Sequence, residues 1–273
     1  MTTSLGIIAG GGPLPAQVVA ACRALDRPCF VLALEGQCDA ESIASAPHAW
    51  ARLGAVGRML SALHGAAVDE VVMVGPVRRP SLAELRPDAR ALRELARIGG
   101  ARGDDHLLSA ITTLLEREGF RVIGVDQVVH GLTVKPGLLG QRRPDRTARQ
   151  DISRGIMAAR SLGVADIGQA VVVQDGIVLA AEAAEGTTAM VRRAGDLARA
   201  GRGGVLVKTV KPGQNRRVDL PTIGPETLEA AATAGLRGIM IEANGVLVLE
   251  RARCIAMADD AGLFLLSEAV GPA

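Results

Sequence analysis

Four short aliphatic runs punctuate the first half of the chain, and patterned helical stretches separate them. LGIIA (5–9), CFVLAL (29–34), VVMV (71–74) and RVIGV (121–125) are each too short for a buried helix and continuous enough for strands buried on both faces. Helical spacing fills the intervals at about 14–25, 56–63 and 106–118, where Leu107, Ile111, Leu114 and Leu115 share a face. Ser81 and Glu84 form a capping box for a further helix, which Pro87 would kink. Strands alternating with helices specify a parallel sheet covered on both faces, a Rossmann-like layout.

The rhythm changes at HGLTVKPGLLGQRRPDRT (130–147), which is rich in Gly, Pro and Arg. This break predicts a domain spanning 1–130, a connection at 131–147 and a second α/β domain with a mixed sheet at 148–273. In that second half, VVVQ-DG-IVLA (171–180) and IMIEA-NG-VLVL (239–249) each place two aliphatic runs around a type I′ turn dipeptide, so two hairpins are expected. Helices are expected at 148–162, 187–200, 226–234 and 252–261.

Composition narrows the function. Hydrophobic residues make up 48% of the 273, so a large core is affordable, but aromatics are only 1% and Tyr is absent. Nucleic-acid binding through stacking platforms is therefore not expected, and a net charge of +2 adds no basic footprint. The four cysteines show no metal-ligand spacing and read as reduced, mostly buried thiols. The histidines form no triad or zinc pattern. The amino terminus lacks the basic region of a secretory leader, and no apolar run approaches the ~18 residues of a membrane span, so a cytosolic protein is expected.

Several segments carry candidate chemistry. IIAGGGPLP (7–15) puts Gly10, Gly11, Gly12, Pro13 and Leu14 between a strand and a helix, where backbone amides and the helix dipole favour a phosphate. Pro15 stands where a dinucleotide fingerprint has its third glycine, although Glu35 follows the second strand as a ribose-binding acid would. RGDDHLL (102–108) makes Asp104 either a dipole-stabilising cap or a metal or hydroxyl contact. EGTTAM (185–190) offers Thr187 and Thr188 as caps or anion contacts. The basic stretch RALRELARI (90–98) reads as a solvated helix face or a membrane-surface helix.

The richest segment is KTVKPGQNRRVDLPTIG (208–224), a proline-framed loop after the strand VLVK. Lys208, Lys211 and Arg217 would neutralise a diphosphate, and Asp219, the sole acid, would hold Mg²⁺ or orient water.

AGGGPLP, VGPVRRP, RGDD, DIGQ (166–169), EGTTAM and KPGQNRRVDLPTIG, in this order, resemble the LpxI-type UDP-2,3-diacylglucosamine diphosphatases of lipid A biosynthesis. The resemblance implies a two-domain cytosolic enzyme at the inner-membrane surface. With Mg²⁺ or Mn²⁺ it would cleave a lipid-linked sugar nucleotide to UMP and 2,3-diacylglucosamine 1-phosphate. It makes Asp219 the essential acid and metal contact, with Lys208, Lys211 and Arg217 around the diphosphate. Gly10–Leu14 and the turn Gly75, Pro76, Val77 would take the uridine side, and Asp104, Gln169, Thr187, Thr188 and Gln214 further substrate contacts. Asn215 stands where an acid would be expected, so no catalytic role falls on it. The sequence leaves a homo-oligomer open. The competing class is an NAD-type oxidoreductase or nucleotide sensor built on the amino-terminal half. A third is a membrane-associated lipid binder without turnover.

Overall fold

The computed structural model describes residues 3–78, 85–98 and 104–271, with the side chains at 95, 98 and 104–106 set aside. The chain divides into two compact units, residues 1–130 with 215–219, and residues 131–214 with 220–273. The capping box at Ser81 and Glu84 lies outside the described residues.

In the first unit, β1 (Leu5–Ala9), β2 (Cys29–Leu34), β3 (His48–Ala51), β4 (Glu70–Val74) and β5 (Arg121–Val122) form one sheet in the order β3-β2-β1-β4-β5. Every pairing is parallel, as continuous aliphatic strands require. The helices are α1 (Leu14–Ala24), α2 (Ala40–Ile43), α3 (Val56–Gly65), α4 (Ala89–Ile98) and α5 (Asp104–Arg117). Pro15 sits in the first turn of α1, where its missing N–H is harmless. Ile8, Leu32, Leu34 and Val71 pack with Leu60 and Leu63 of α3 and Leu114 and Leu115 of α5. Each such side chain contributes about 1.5–3 kcal/mol on burial. The strand HAWA carries no legible signal, because it is only four residues long and neither Pro47 before it nor His48 at its start favours a strand.

In the second unit, β6 (Gly137–Leu138), β7 (Ala170–Gln174), β8 (Ile177–Ala181), β9 (Val205–Lys208), β11 (Gly238–Glu242) and β13 (Phe264–Glu268) form a mixed sheet, ordered β6-β13-β11-β9-β7-β8. β10 (Thr222–Ile223) and β12 (Leu247–Val248) pair separately. The helices are α6 (Arg146–Val164), α7 (Thr187–Asp196), α8 (Pro225–Thr233) and α9 (Arg251–Asp260). Strand alternation divides the core. Val171, Val173, Val205 and Val207 face α6, while Val172, Leu206, Ile239 and Ile241 join the core containing residues of α7, α8 and α9. Residues 131–147 contribute β6 and a bridge from Thr133 to Leu247.

The Asp175-Gly176 hairpin forms as expected, with φ of +50° and +78° at the turn. Its turn is held by the fully buried carboxylate of Asp151, which accepts from Gly176 N at 2.7 Å and Asp175 N at 3.2 Å and pairs with Arg237. The Asn244-Gly245 hairpin does not form. Asn244 does turn at φ +56°, but both edges of β11 are already occupied by β9 and β13 in parallel. The chain after Gly245 therefore leaves the sheet, and β12 pairs with β10.

Candidate functional site

In the first unit the strand order reverses between β1 and β4, the position where open α/β sheets bind ligands beyond their carboxyl ends. The segments expected there do meet. Gly10 N donates to Val74 O at 2.8 Å, and Gly11 N donates to Pro76 O at 2.9 Å. A Cβ on Gly10 would stand 2.6 Å from Pro76 O, so only glycine permits this approach. The amides of Gly10 and Gly11 are thus committed to the last residue of β4 and to the turn Gly75–Val77 that follows it. Gln37 Oε1 adds a contact by accepting from Arg78 N at 2.9 Å. Asp104 is the first residue of α5, and its side chain lies outside those described.

The second unit gathers a buried polar cluster at one end of its sheet. Lys208 closes β9 with only 5% of its surface exposed. Its Nζ donates to Thr187 Oγ1 at 2.5 Å and to the Thr222 carbonyl at 3.0 Å. Thr187 in turn donates to Glu182 Oε1, which lies 4.0 Å from Lys208 Nζ. The other Glu182 oxygen accepts from Gln169 N at 3.1 Å. Gly168 allows this, because a Cβ there would run into the Glu182 carbonyl. Thr187 is not the cap of α7. Gly186, at φ +78°, occupies that position, which leaves the Thr187 hydroxyl for Lys208 and Glu182. Thr188 follows, half-buried, and Gln169 Oε1 is enclosed with no hydrogen-bond donor among the described residues. Glu185, just ahead of this helix, is held below the usual carboxylate range by its hydrogen bond from Arg193.

The loop after Lys208 is anchored at its base. Thr209 N donates to Gln169 O at 3.0 Å, and Val210 N donates to Glu242 Oε2 at 3.0 Å. Lys211 Nζ pairs with Asp166 Oδ1 at 2.7 Å. The buried Gln214 accepts from Lys211 N through its side chain and returns a backbone bond to Lys211 O. Residues 215–219 then belong to the first unit. Asn215 O accepts from both Val218 N and Asp219 N, a tight turn, while Val218 packs against the Leu34, Leu60 and Phe120 core. Arg217 pairs with Glu116 of α5 at 2.6 Å.

Each cation expected around the diphosphate therefore has a named acid outside the loop: Glu182 for Lys208, Asp166 for Lys211 and Glu116 for Arg217. Asp166 opens the DIGQ segment, where no role fell on it, and Glu182 and Glu116 did not stand out in the sequence. Glu182 follows an aliphatic strand like any exit residue.

Among the described residues no three His, Cys, Asp or Glu converge as a metal cage. Mg²⁺ needs no such cage, since that ion keeps waters and is commonly held by one or two carboxylates together with substrate phosphates. Cys22 and Cys29, far apart in spacing terms, hydrogen-bond to each other, which lowers Cys29 to about 7.

Comparison with known proteins follows the same two-part division. A family model described as the LpxI N-terminal domain matches residues 4–132, and one described as the LpxI C-terminal domain matches residues 135–266. The UDP-2,3-diacylglucosamine pyrophosphatase LpxI of Caulobacter vibrioides is 43% identical over 270 residues, covering 96% of this chain and 96% of that protein. With both domain models matched and identity sustained from end to end, the chain belongs to the LpxI family.

Proposed function

We propose that this protein hydrolyses the phosphoanhydride of UDP-2,3-diacylglucosamine, giving UMP and 2,3-diacylglucosamine 1-phosphate for lipid A biosynthesis. The identity across 96% of a relative bearing that pyrophosphatase name carries the reading. The buried Lys208 at a strand end beside the amino terminus of α7 supports it, because both favour an anion. An NAD-type oxidoreductase is not favoured: the amides of Gly10 and Gly11 are spent within the protein, and the family points elsewhere.

In this reading water attacks one phosphorus of the diphosphate. Its oxygen forms the new P–O bond, the bond from that phosphorus to the bridging oxygen breaks, and one proton leaves the water. Asp219 orients the water or takes that proton, while Lys208, Lys211 and Arg217 offset charge that builds on the phosphoryl oxygens. Gln169, Thr188 and Gln214 contact sugar or phosphate, Thr187 serves through its hydrogen bond from Lys208, and the Gly10–Leu14 and Gly75–Val77 segments serve the uridine side. Bound to the diphosphate with Asp219 as its protein ligand, Mg²⁺ or Mn²⁺ would supply charge neutralisation. Two acyl chains confine such a substrate to a lipid surface, so the enzyme would work peripherally on the cytoplasmic face of the inner membrane. Among the described residues no helix is long and apolar enough to cross a membrane.

The test is incubation with UDP-2,3-diacylglucosamine and Mg²⁺. UMP should accumulate, and excess EDTA should stop it. UMP release at the full rate in EDTA would remove the metal from the account, and no UMP under any condition would remove the function.

A further inference from the structure

The direction of every hydrogen bond in the Lys208 cluster is fixed by chemistry. An ammonium only donates and an ionised carboxylate only accepts. Lys208 must therefore donate to the Thr187 oxygen, and the single Thr187 proton must point at Glu182. Glu182 is itself pinned by the Gln169 amide and is nine-tenths buried, as are Thr187 and Lys208. Burying such a pair costs desolvation that apolar residues of the same volume would avoid. The cluster also lies where β9 ends and the 209–219 loop begins, beside Gly186 at the start of α7 and the enclosed Gln169 Oε1. A purely structural ion pair has no need of that address.

We propose that Glu182 is a positioning residue for the pyrophosphatase: acting through the Thr187 hydroxyl, it sets where the Lys208 ammonium points, and it does not itself touch substrate. This rests on the reading above that Lys208 meets the diphosphate. Glu182 thus governs the charge presented to the transition state, where small displacements of a positioned group are costly.

The experiment compares wild type, Glu182→Gln, Thr187→Val and the double variant, all assayed well below their melting transitions for UMP release from UDP-2,3-diacylglucosamine. Each single variant should lose about 10–100-fold in kcat with KM within about threefold. The double variant should be no slower than the slower single one, because both changes break one relay. Losses that multiply, a Glu182→Gln rate within about twofold of wild type, or a rise confined to KM would overturn the proposal. A second arm needs no turnover. Inorganic pyrophosphate should raise the melting temperature of wild type and of Glu182→Gln, whose ammonium still attracts it, but not that of Lys208→Met. Loss of that protection in Glu182→Gln would make Glu182 a structural prop of the binding site and refute the positioning role. Wild type that yields no UMP but keeps this pattern would sink the substrate assignment alone.

Discussion

Lys208 Nζ lies 2.5 Å from Thr187 Oγ1, and the two residues come from the end of one strand and the start of one helix. This contact joins two segments that the sequence offered separately, and it brings in an acid, Glu182, that the sequence did not single out.

Replacing Lys208 tests whether the contact is structural or chemical. Lys208→Met strands a buried carboxylate and should cost about 3–5 kcal/mol in urea unfolding, along with turnover. Pairing it with Glu182→Leu should restore most of the stability and none of the activity. Recovery of both would assign Lys208 a packing role.

Asp219→Ala should lower single-turnover UMP release by about 10²–10⁴-fold while substrate binding survives. Losing a carboxylate removes repulsion toward a diphosphate, so binding should be no weaker. Asp219→Asn keeps the shape but takes no proton and ligates Mg²⁺ poorly, so it should be nearly as slow. Turnover close to wild type in either variant would move the catalytic role elsewhere.

At the opposite end of the same sheet, Asp151 is buried with Arg237 and the Asp175-Gly176 turn. Asp151→Ala leaves two amides without their acceptor and Arg237 with Asp145 alone, and should cost about 2–4 kcal/mol. The folded fraction should keep its kcat. Urea midpoints together with rates per folded molecule check this, and a large fall in kcat at unchanged stability would contradict it.

Two carboxylates make the fold acid-sensitive. Asp145 is held below its ordinary range first by the Ala148 amide it caps and then by Arg202, and Glu185 is held down by Arg193. A depressed folded value means the stabilisation is complete above the unfolded value, about 4, and is lost as pH falls through the folded one. Melting temperature should therefore decline below about pH 4, and Asp145→Asn should flatten the decline. An unchanged acid slope in that variant would contradict the assignment.

Much of the fold was legible because buried parallel strands leave an unmistakable trace. LGIIA, CFVLAL and VLVK appear as strands with the ends read for them. The Asp-Gly hairpin was also legible, and its Asn-Gly counterpart was not. A turn dipeptide is a local signal, whereas pairing depends on which strand edges remain open, and β9 and β13 had taken both edges of β11. Lys208 and Thr187, offered by the sequence in separate segments, do meet. The pairing of Lys208 with Glu182, Lys211 with Asp166 and Arg217 with Glu116 was not legible, because a lone Glu or Asp looks solvent-exposed until long-range packing places it.

The most direct measurement of the central claim is a ³¹P NMR time course of UDP-2,3-diacylglucosamine with the wild-type protein and Mg²⁺. Anhydride cleavage replaces the two coupled diphosphate resonances with two monoester resonances, those of UMP and 2,3-diacylglucosamine 1-phosphate, rising at equal rates. Persistent diphosphate resonances, or their conversion to UDP, would contradict it.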